Sequence, residues 1–408
     1  MGAHHAHDVL HGHDFVPRPG IERRLWVAVG VWAALTVLGL VVLWPSHGSG
    51  SDAPAQRTVH GSVVLIAVAP CTGTAVEDLV ECRVLTIQLD SGPDAGQQTT
   101  LEQGITSGKA RVPEVGDDLI LTADPAGDGT WIYNFADYER SSSMFVLTLL
   151  FVLAVVILGG WRGLGALTGL AVSIVVLVAF VLPALLVGSN PVVVAIVGAS
   201  VIAFASLYLA HGFNSPTNVA LLSTLAALAL TGFLAWVFIE LTTLTGLSDE
   251  NAAFLDSLGV HLDPRGLLLA GVVIGSLGVL DDVTVTQVSA VSELHRSRPD
   301  AGFQDLYRSA LRIGRDHISS TVNTLFLAYA GAALPLLLLF TQVRQSITTT
   351  ATQEVVAVEI VRTLVGSIGL IASVPIATGM AAALLVGRPA RDAVTPTGDG
   401  DAASAAAG

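Results

Sequence analysis

Two adjacent carboxylates, Asp281 and Asp282, lie within an apolar segment, Gly266–Val291, that is long enough to cross a membrane. Ionised side chains are expensive in hydrocarbon, so they are uncommon there without a partner or a task. Two carboxyl groups this close do not both stay ionised without a cation, so either one holds a proton or the pair binds a metal or sodium ion. Both alternatives describe the coupling site of a transporter, a proton relay or a cation site.

The helical spacing of this segment places its small and polar residues on one face. That face consists of Gly275, Gly278, Asp282, Thr286, Ser289 and Glu293. Asp281 lies about 100° away from it, on the side of Thr284. The predicted ion or substrate ligands on this segment are Asp281, Asp282, Thr286 and Ser289. Gly275 and Gly278 are predicted to pack against another helix, and Glu293 to act as a relay or gate.

The depth of the carboxylates strengthens this prediction. Counted from Ser292 at the inner interface, Asp282 is about 15 Å into the membrane at about 1.5 Å per residue. That is near the middle of a hydrocarbon core about 30 Å thick. The alternative is a polar contact between helices without transport.

The next apolar segment, Ser319–Phe340, contains candidate partners for the carboxylates. Asn323 and Thr324 are predicted as further ligands, and Gly331 belongs to a small-residue stripe that favours helix packing.

Charged residues precede this segment at its predicted cytoplasmic end. Asp316 and His317 are predicted as a relay, because a histidine can carry protons near neutral pH. An ordinary interfacial position at a helix start is the alternative for His317. Another polar run, His211–Asn218, contains Pro216, which is compatible with a broken helix at a transport site or with an ordinary helix start.

The composition of the chain predicts the kind of structural elements that hold these residues in place. Hydrophobic residues make up 52% of the 408 positions and charged residues 13%, and the mean hydropathy is +0.68. These values predict an α-helical polytopic membrane protein with about eight transmembrane helices. The predicted spans are Leu25–Trp44, Met144–Leu158, Leu164–Val187, Val192–Leu209, Thr217–Leu241, Gly266–Val291, Ser319–Phe340 and Val358–Val386.

The distribution of arginines predicts the topology. Arginines precede the anchor helix 25–44, crowd the loop after Val291 and follow the last span, so both termini are expected in the cytoplasm. Residues 1–24 are predicted as a His-rich cytoplasmic tail and 387–408 as a disordered one. Residues 144–386 form the predicted seven-helix domain, which includes an amphipathic cytoplasmic segment at 294–318 that lies on the inner leaflet or is a solvated hairpin.

Residues 51–141 have short β-rich runs separated by Gly, Pro and Asp, which predict a small extracytoplasmic β-barrel-like domain, OB-like or SH3-like. This region holds 14 acidic residues against 5 basic ones, which argues against nucleic acid as a partner. Cys71 and Cys82 both lie here and are candidates for one disulfide. Two buried free thiols are the alternative.

Two stretches of the sequence resemble the YibE/F family of bacterial multi-pass membrane proteins. They are the run Gly275–Asp282 with Glu293 and the longer run Gly314–Gly331. The resemblance covers about residues 145–386 and implies the same architecture and a bacterial cell membrane. The residues that match the family's polar pattern are Asp282, Glu293, Arg315, Asp316, Asn323, Thr324, Tyr329 and Gly331. Asp281 departs from that pattern, in which an apolar residue is expected.

The residues favour a secondary transporter or exporter of a cation or small solute, coupled through Asp281 and Asp282. The sequence has no nucleotide-binding loop for ATP hydrolysis, and neither an enzyme activity nor a cofactor is predicted. The alternatives are a scaffold or receptor acting through the β-domain and, less favoured, a Mg-dependent intramembrane enzyme for lipid diphosphates. Expected partners are the lipid bilayer and a small cation or proton, while a homo-oligomer and a bound metal are left open.

Overall fold

The computed structural model describes residues 19–45, 57–69, 82–104, 112–126, 129–247, 263–342 and 346–386. The chain forms two compact units. The first, Met1–Ser49 with Leu158–Gly408, is helical over its described part, and the second, Gly50–Ile157, contains a β-sheet. Most of the predicted N-terminal tail and all of the predicted C-terminal tail lie outside the described residues.

The described residues form ten α-helices, most of which overlap the predicted apolar segments. They are α1 (Pro19–Val42), α2 (Ser141–Val176), α3 (Leu182–Leu186), α4 (Pro191–His211), α5 (Ser215–Leu241), α6 (Pro264–Ser297), α7 (Phe303–Ala332), α8 (Leu334–Gln342), α9 (Ile347–Thr352) and α10 (Glu354–Leu385). A π-helical turn, Leu177–Val181, joins α2 to α3.

Asparagine and proline residues determine where α4 and α5 begin. The side chain of Asn190 accepts hydrogen bonds from the backbone amides of Val192 and Val193 at 3.0 and 3.2 Å. The side chain of Asn214 accepts one from Thr217 at 2.8 Å. In each case a proline occupies the first turn, where its missing N–H removes no helical hydrogen bond. The run His211–Asn218 is therefore the end of one helix and the capped start of the next.

Three helices, α5, α6 and α10, form the centre of the helical unit, and α4 and α7 pack against them. Small residues allow some of these helices to approach closely. A Cβ atom added at Gly369 of α10 would overlap the side chain of Thr231 on α5, and one added at Gly314 of α7 would overlap Val374 on α10. The packing of this centre therefore depends on the absence of side chains at particular positions.

Six helices of the described residues are long and apolar enough to cross a membrane. The predicted count of eight is not confirmed, and two places account for the difference. Helix residues run continuously over Ser141–Leu186, where two spans were expected, although Gly160 in this stretch has non-helical dihedral angles of φ 54° and ψ −136°. The expected span Ser319–Phe340 belongs to α7 and α8, and α7 opens with a charged half that lowers its hydropathy.

The predicted amphipathic segment 294–318 does not form a separate element. Its first residues extend α6 to Ser297, and its last part is the beginning of α7, which starts at Phe303 and continues without interruption to Ala332. Polar periodicity in this part of the sequence therefore reflects the first half of a long helix. The buried side of that half includes Leu306 and Ala310.

The second unit contains a five-stranded antiparallel sheet. Its strands are β1 (Arg57–Ala69), β2 (Cys82–Leu89), β3 (Gln98–Gly104), β4 (Asp118–Pro125) and β5 (Trp131–Tyr138), paired in the order β3-β2-β1-β4-β5. The outer strands β3 and β5 also approach each other, so the sheet is curled. Alternate side chains, including Val63, Ile87 and Leu121, are buried in its core, as period-2 strands require.

Cys82 and Tyr133 are both buried in the core of the sheet unit. Cys82 is buried and disulfide-bonded, which excludes the free-thiol alternative for this residue. Cys71, the other cysteine of the sequence, lies outside the described residues. The Tyr133 hydroxyl donates a hydrogen bond to Asp94 Oδ2 at 2.8 Å, and burial together with the neighbouring carboxylate raises the pKa of Tyr133 to about 12.

Candidate functional site

Helix α6 has two faces, and the adjacent aspartates belong to different ones. Asp281 is half-buried on the side of the fully buried Thr284, whereas Asp282 is exposed. Successive residues of an α-helix are turned by about 100° from one another, so the two carboxylates point in different directions. Within the described structure they do not form the single two-carboxylate site that the sequence suggested.

The carboxylate of Asp281 is held between α4 and α6. The hydroxyl of Ser206, on α4, donates a hydrogen bond to Asp281 Oδ2 at 2.7 Å. The other oxygen, Oδ1, is buried and forms no hydrogen bond of good geometry among the described residues, although the Thr224 hydroxyl also lies close to this carboxylate. Buried polar oxygens without a partner are rare in proteins, so this atom singles out Asp281 among the carboxylates of the described chain.

Two threonines extend this group of oxygens toward α5. Thr224 on α5 and Thr284 on α6 are fully buried, and their hydroxyl oxygens are 2.6 Å apart. Thr284 Oγ1 also lies 3.1 Å from the backbone oxygen of Asp281. Three helices thus contribute oxygen atoms around one carboxylate, and we call Ser206, Thr224, Asp281 and Thr284 the Asp281 site.

The position of the Asp281 site along α6 corresponds to the predicted depth. The helix has 34 residues, so it is about 50 Å long at about 1.5 Å per residue. Asp281 is the eighteenth residue of α6, close to its midpoint. If α6 crosses a membrane, this carboxylate is as far from both surfaces as the helix allows.

A second polar group lies where α4 ends and α5 begins. The Tyr208 hydroxyl donates to Asn218 Oδ1 at 2.6 Å, and both side chains are buried. Asn218 Nδ2 and His211 Nδ1 are also buried without hydrogen-bond partners among the described residues. The sequence analysis identified this run as polar, and the structure places His211 and Asn218 on α4 and α5, the two helices that also carry Ser206 and Thr224.

Most of the predicted stripe on α6 is not covered by other helices of the described chain, although the Tyr329 hydroxyl of α7 would lie 3.3 Å from a Cβ atom built on Gly275. Asp282 and Thr286 are exposed, as are the packing positions Gly275 and Gly278. Ser289 donates its hydroxyl hydrogen bond to Val285 of its own helix at 2.8 Å rather than to a ligand site. The expectation that this stripe faces protein assumed that polar residues define the buried side, whereas apolar contacts of α6 with α4, α5 and α10 do so.

The predicted relay at the far end of this stripe is also exposed. Glu293 carries an ion pair with Arg296, one turn further along α6, at 3.3 Å. An exposed pair of this kind contributes little to stability. Its position at the end of α6 is compatible with a gate but does not connect it to the Asp281 site.

The predicted partners on α7 are not part of the Asp281 site. Asn323, Thr324 and Asp316 are exposed, and the Thr324 hydroxyl donates to Ser320 of its own helix at 3.0 Å. Helix α7 meets α6 elsewhere, where Gln287 Nε2 donates to the backbone oxygen of Ala310 at 2.9 Å. Gly331 is likewise exposed, with no atom within 4 Å of a Cβ atom built on it.

The remaining relay candidate, His317, is half-buried, and its Nε2 atom has no hydrogen-bond partner among the described residues. No group of three or more His, Cys, Asp or Glu side chains in the described part of the chain is arranged to hold a metal ion. A cation at the Asp281 site would therefore be bound by one carboxylate and hydroxyl oxygens.

Sequence reasoning missed Ser206 and Thr224 as neighbours of Asp281, and it noted Thr284 only because that residue lies on the same side of α6. The available signal was weak, since each is a single hydroxyl in an apolar helix. Thr284 follows Asp281 by three residues and therefore shares its side of α6. Nothing in the spacing of α6 indicates which residues of α4 and α5 it meets.

These features define a polytopic helical membrane protein with an isolated carboxylate inside its bundle and a separate small sheet. A family model described as YibE/F-like protein matches residues 147–387, more than half of the chain. The chain therefore belongs to the YibE/F-like family, as its polar motifs suggested. Neither the curated proteins nor the solved structures gave a match.

Proposed function

We propose that this protein is a secondary transporter or exporter of a cation or small solute and that Asp281 is its coupling carboxylate. One observation supports the proposal above the others, namely that Asp281 Oδ1 is buried at the middle of a membrane-length helix without a hydrogen-bond partner among the described residues. An ionised carboxylate at that depth is unfavourable unless it is neutralised. Reversible neutralisation by a proton or a cation is what a coupling site requires.

The oxygens of the Asp281 site favour a proton or a monovalent cation. A single carboxylate balances one positive charge, and the hydroxyls of Thr224 and Thr284 are neutral oxygen ligands of the kind that hard cations accept. A proton on Oδ1 satisfies the same charge balance. In either case the site is neutral when loaded and negatively charged when empty, which couples its occupancy to movement of the helices around it.

The transport path would lead from the Asp281 site to the polar group at the start of α5. His211 and Asn218 each have a buried nitrogen without a partner there among the described residues, so they can form hydrogen bonds with water along the path. The predicted topology places this end of α4 and α5 on the cytoplasmic side, because the arginine-rich loop after α6 lies on that side.

Eight membrane passes follow if two further segments are counted. The stretch Ser141–Leu186 has 46 residues, which at about 1.5 Å per residue is about twice the hydrocarbon thickness, and Gly160 interrupts its helical backbone. Counting it as two passes, and α7 with α8 as one more, gives eight. This count supports a multi-pass protein of the bacterial cell membrane with both termini in the cytoplasm.

The sheet unit is proposed to be an OB-like barrel outside the cytoplasm. In its strand order β1 pairs with both β2 and β4, and the outer strands approach each other. This is the connectivity of a partly open five-stranded barrel. Its disulfide-bonded Cys82 supports an oxidising location.

Transport measurements on full-length protein in liposomes test the proposal. We expect the wild-type protein to dissipate an imposed proton gradient, read by a trapped pH indicator, or to take up radioactive sodium. Asp281→Asn should reduce this flux at least about tenfold, because the amide cannot exchange a proton or a charge. The matched control is Asp282→Asn, which changes the same residue type at nearly the same depth on the exposed face and should keep most of the flux.

Two results would contradict the proposal. Equal flux in wild type and Asp281→Asn would remove this carboxylate from the mechanism. A correctly folded wild-type protein that moves neither protons nor sodium would instead favour the scaffold or receptor alternative, in which the sheet unit binds a partner.

A further inference from the structure

The exposed face of α6 is unusual for a helix of this length and hydropathy. It carries glycines and polar groups rather than large apolar side chains, and α7 exposes similar residues together with the apolar Leu327, which lies between Asn323 and Gly331 on the same side of that helix. We define the α6–α7 face by Gly275, Gly278, Asp282, Ser320, Asn323 and Gly331, all of which are exposed. The Asp281 site lies on another side of α6 and does not use this face.

Two contacts determine how the helices of this face are aligned. Gln287 of α6 meets Ala310 of α7, and a Cβ atom on Gly275 would lie 3.3 Å from the Tyr329 hydroxyl. As residue numbers fall along α6 they rise along α7, so the helices are antiparallel. The two contacts are 12 residues apart on α6 and 19 apart on α7, so together they place Asp282 opposite residues 315–322 of α7, a range that contains Ser320 and ends next to Asn323.

Lipid chains are poor neighbours for this face. The hydrocarbon core contains no water to solvate an ionised or hydrogen-bonding side chain, and Asp282 is next to the midpoint of α6. Among the described residues no side chain donates a hydrogen bond to the Asp282 carboxylate. Glycine positions on a lipid-facing surface also forfeit the packing that larger side chains would provide.

We infer that the α6–α7 face binds the same face of a second copy of this chain. A twofold axis along the membrane normal leaves every residue at its own depth, so Asp282 of one copy comes near the level of Ser320 and Asn323 of the other. The hydroxyl and the amide are hydrogen-bond donors, whereas an ionised carboxylate only accepts, so the two faces are complementary. Gly275 and Gly278 allow the backbones to approach closely enough for these bonds.

The apolar first part of α2 offers no comparable complement. Over Met144–Leu158 its one side chain with a hydroxyl is Thr148, and that hydroxyl already donates to the backbone oxygen of Met144 at 2.8 Å. The Thr148 hydroxyl is therefore not available to donate to Asp282. A second copy of the chain supplies two donors at a similar depth, the Ser320 hydroxyl and the Asn323 amide.

The oligomeric state of the full-length protein in lipid nanodiscs or liposomes tests this inference. We expect wild-type protein to be dimeric and Gly278→Leu to raise the dissociation constant of the dimer at least about tenfold, because a large side chain keeps the helices apart. No atom lies within 4 Å of a Cβ atom built on Gly278, so the monomer has room for the new side chain. The matched control is Gly30→Leu, at another exposed helical glycine with equally open space, which should leave the dimer intact.

Cross-linking gives a second measurement that does not depend on affinity. A bis-maleimide should link two copies of Gly331→Cys in membranes but not two copies of Gly30→Cys, and wild type reports any contribution from the native cysteines. A monomeric wild type, or a dimer unaffected by Gly278→Leu and not linked through residue 331, would overturn the inference and leave lipid or another protein as the cover. These readouts do not involve flux, so they fail or succeed independently of the proposed transport function.

Discussion

The two faces of α6 carry the same residue types in different surroundings. On one face Asp281 and Thr284 meet hydroxyls from α4 and α5 at 2.6–2.7 Å. On the other, Asp282 and Thr286 are exposed. Depth along the helix is nearly the same for each pair, so the neighbouring helices, rather than residue type or depth, distinguish a candidate coupling site from a candidate interface.

The strongest test of this difference compares glycines rather than aspartates. Gly369→Leu should destabilise the helical unit by about 3 kcal/mol or more, because the added side chain overlaps the fully buried Thr231. Gly278→Leu should leave the stability of the monomer almost unchanged, since its surroundings are open. Thermal unfolding in a detergent that keeps the chain monomeric measures both. Similar losses in the two variants would mean that the α6–α7 face is already packed.

A smaller difference is expected between two threonines of α6. Thr284→Val keeps the shape of the side chain but leaves the buried Thr224 hydroxyl without its partner, which should cost about 1–3 kcal/mol. Thr286→Val removes a hydroxyl from the exposed face and should change the monomer by less than about 0.5 kcal/mol. Unfolding in the same detergent gives both values, and an equal effect would contradict the assignment of the two faces.

The smallest expected effect is in the sheet unit. It tests whether the Asp281 site depends only on the helices that contact it. Tyr133→Phe keeps the ring but loses the hydrogen bond to Asp94, so we expect a loss of about 1 kcal/mol, seen as faster hydrogen exchange in β4 and β5 of the full-length protein. Flux through the Asp281 site should not change. Reduced flux in this variant would show that the site depends on more than α4, α5 and α6.

The same tyrosine gives a pH dependence with a definite sign. Burial, the hydrogen bond to Asp94 and the charge of that carboxylate raise the pKa of Tyr133 from 10.0 to about 12. The folded state therefore holds the phenolic proton more tightly than the unfolded state. This contribution to stability is fully present below the unfolded pKa, falls as pH rises from 10.0 to about 12, and should be absent from Tyr133→Phe.

Much of the architecture followed from the sequence. The apolar segments at 192–209 and 217–241 predicted α4 and α5 to within a few residues, since hydrophobic length and helix-start residues are local signals. The predicted β-rich runs correspond to strands in the structure, because β-branched residues and turn residues are also local signals. The boundary that the sequence predicted between segment 294–318 and Ser319 is absent from the structure. An amphipathic half and an apolar half share one continuous helix there.

The sequence by itself determined that this chain is a membrane protein of the YibE/F-like family, that two aspartates lie midway along one helix, and that they diverge by about 100°. Only the tertiary structure decided that Asp281 is covered and Asp282 is not, and that Ser206 and Thr224 are among the neighbours. Helical periodicity is a property of one segment, so it gives the angle between side chains. Which helix lies at that angle depends on contacts between residues as distant in the chain as Ser206 and Asp281.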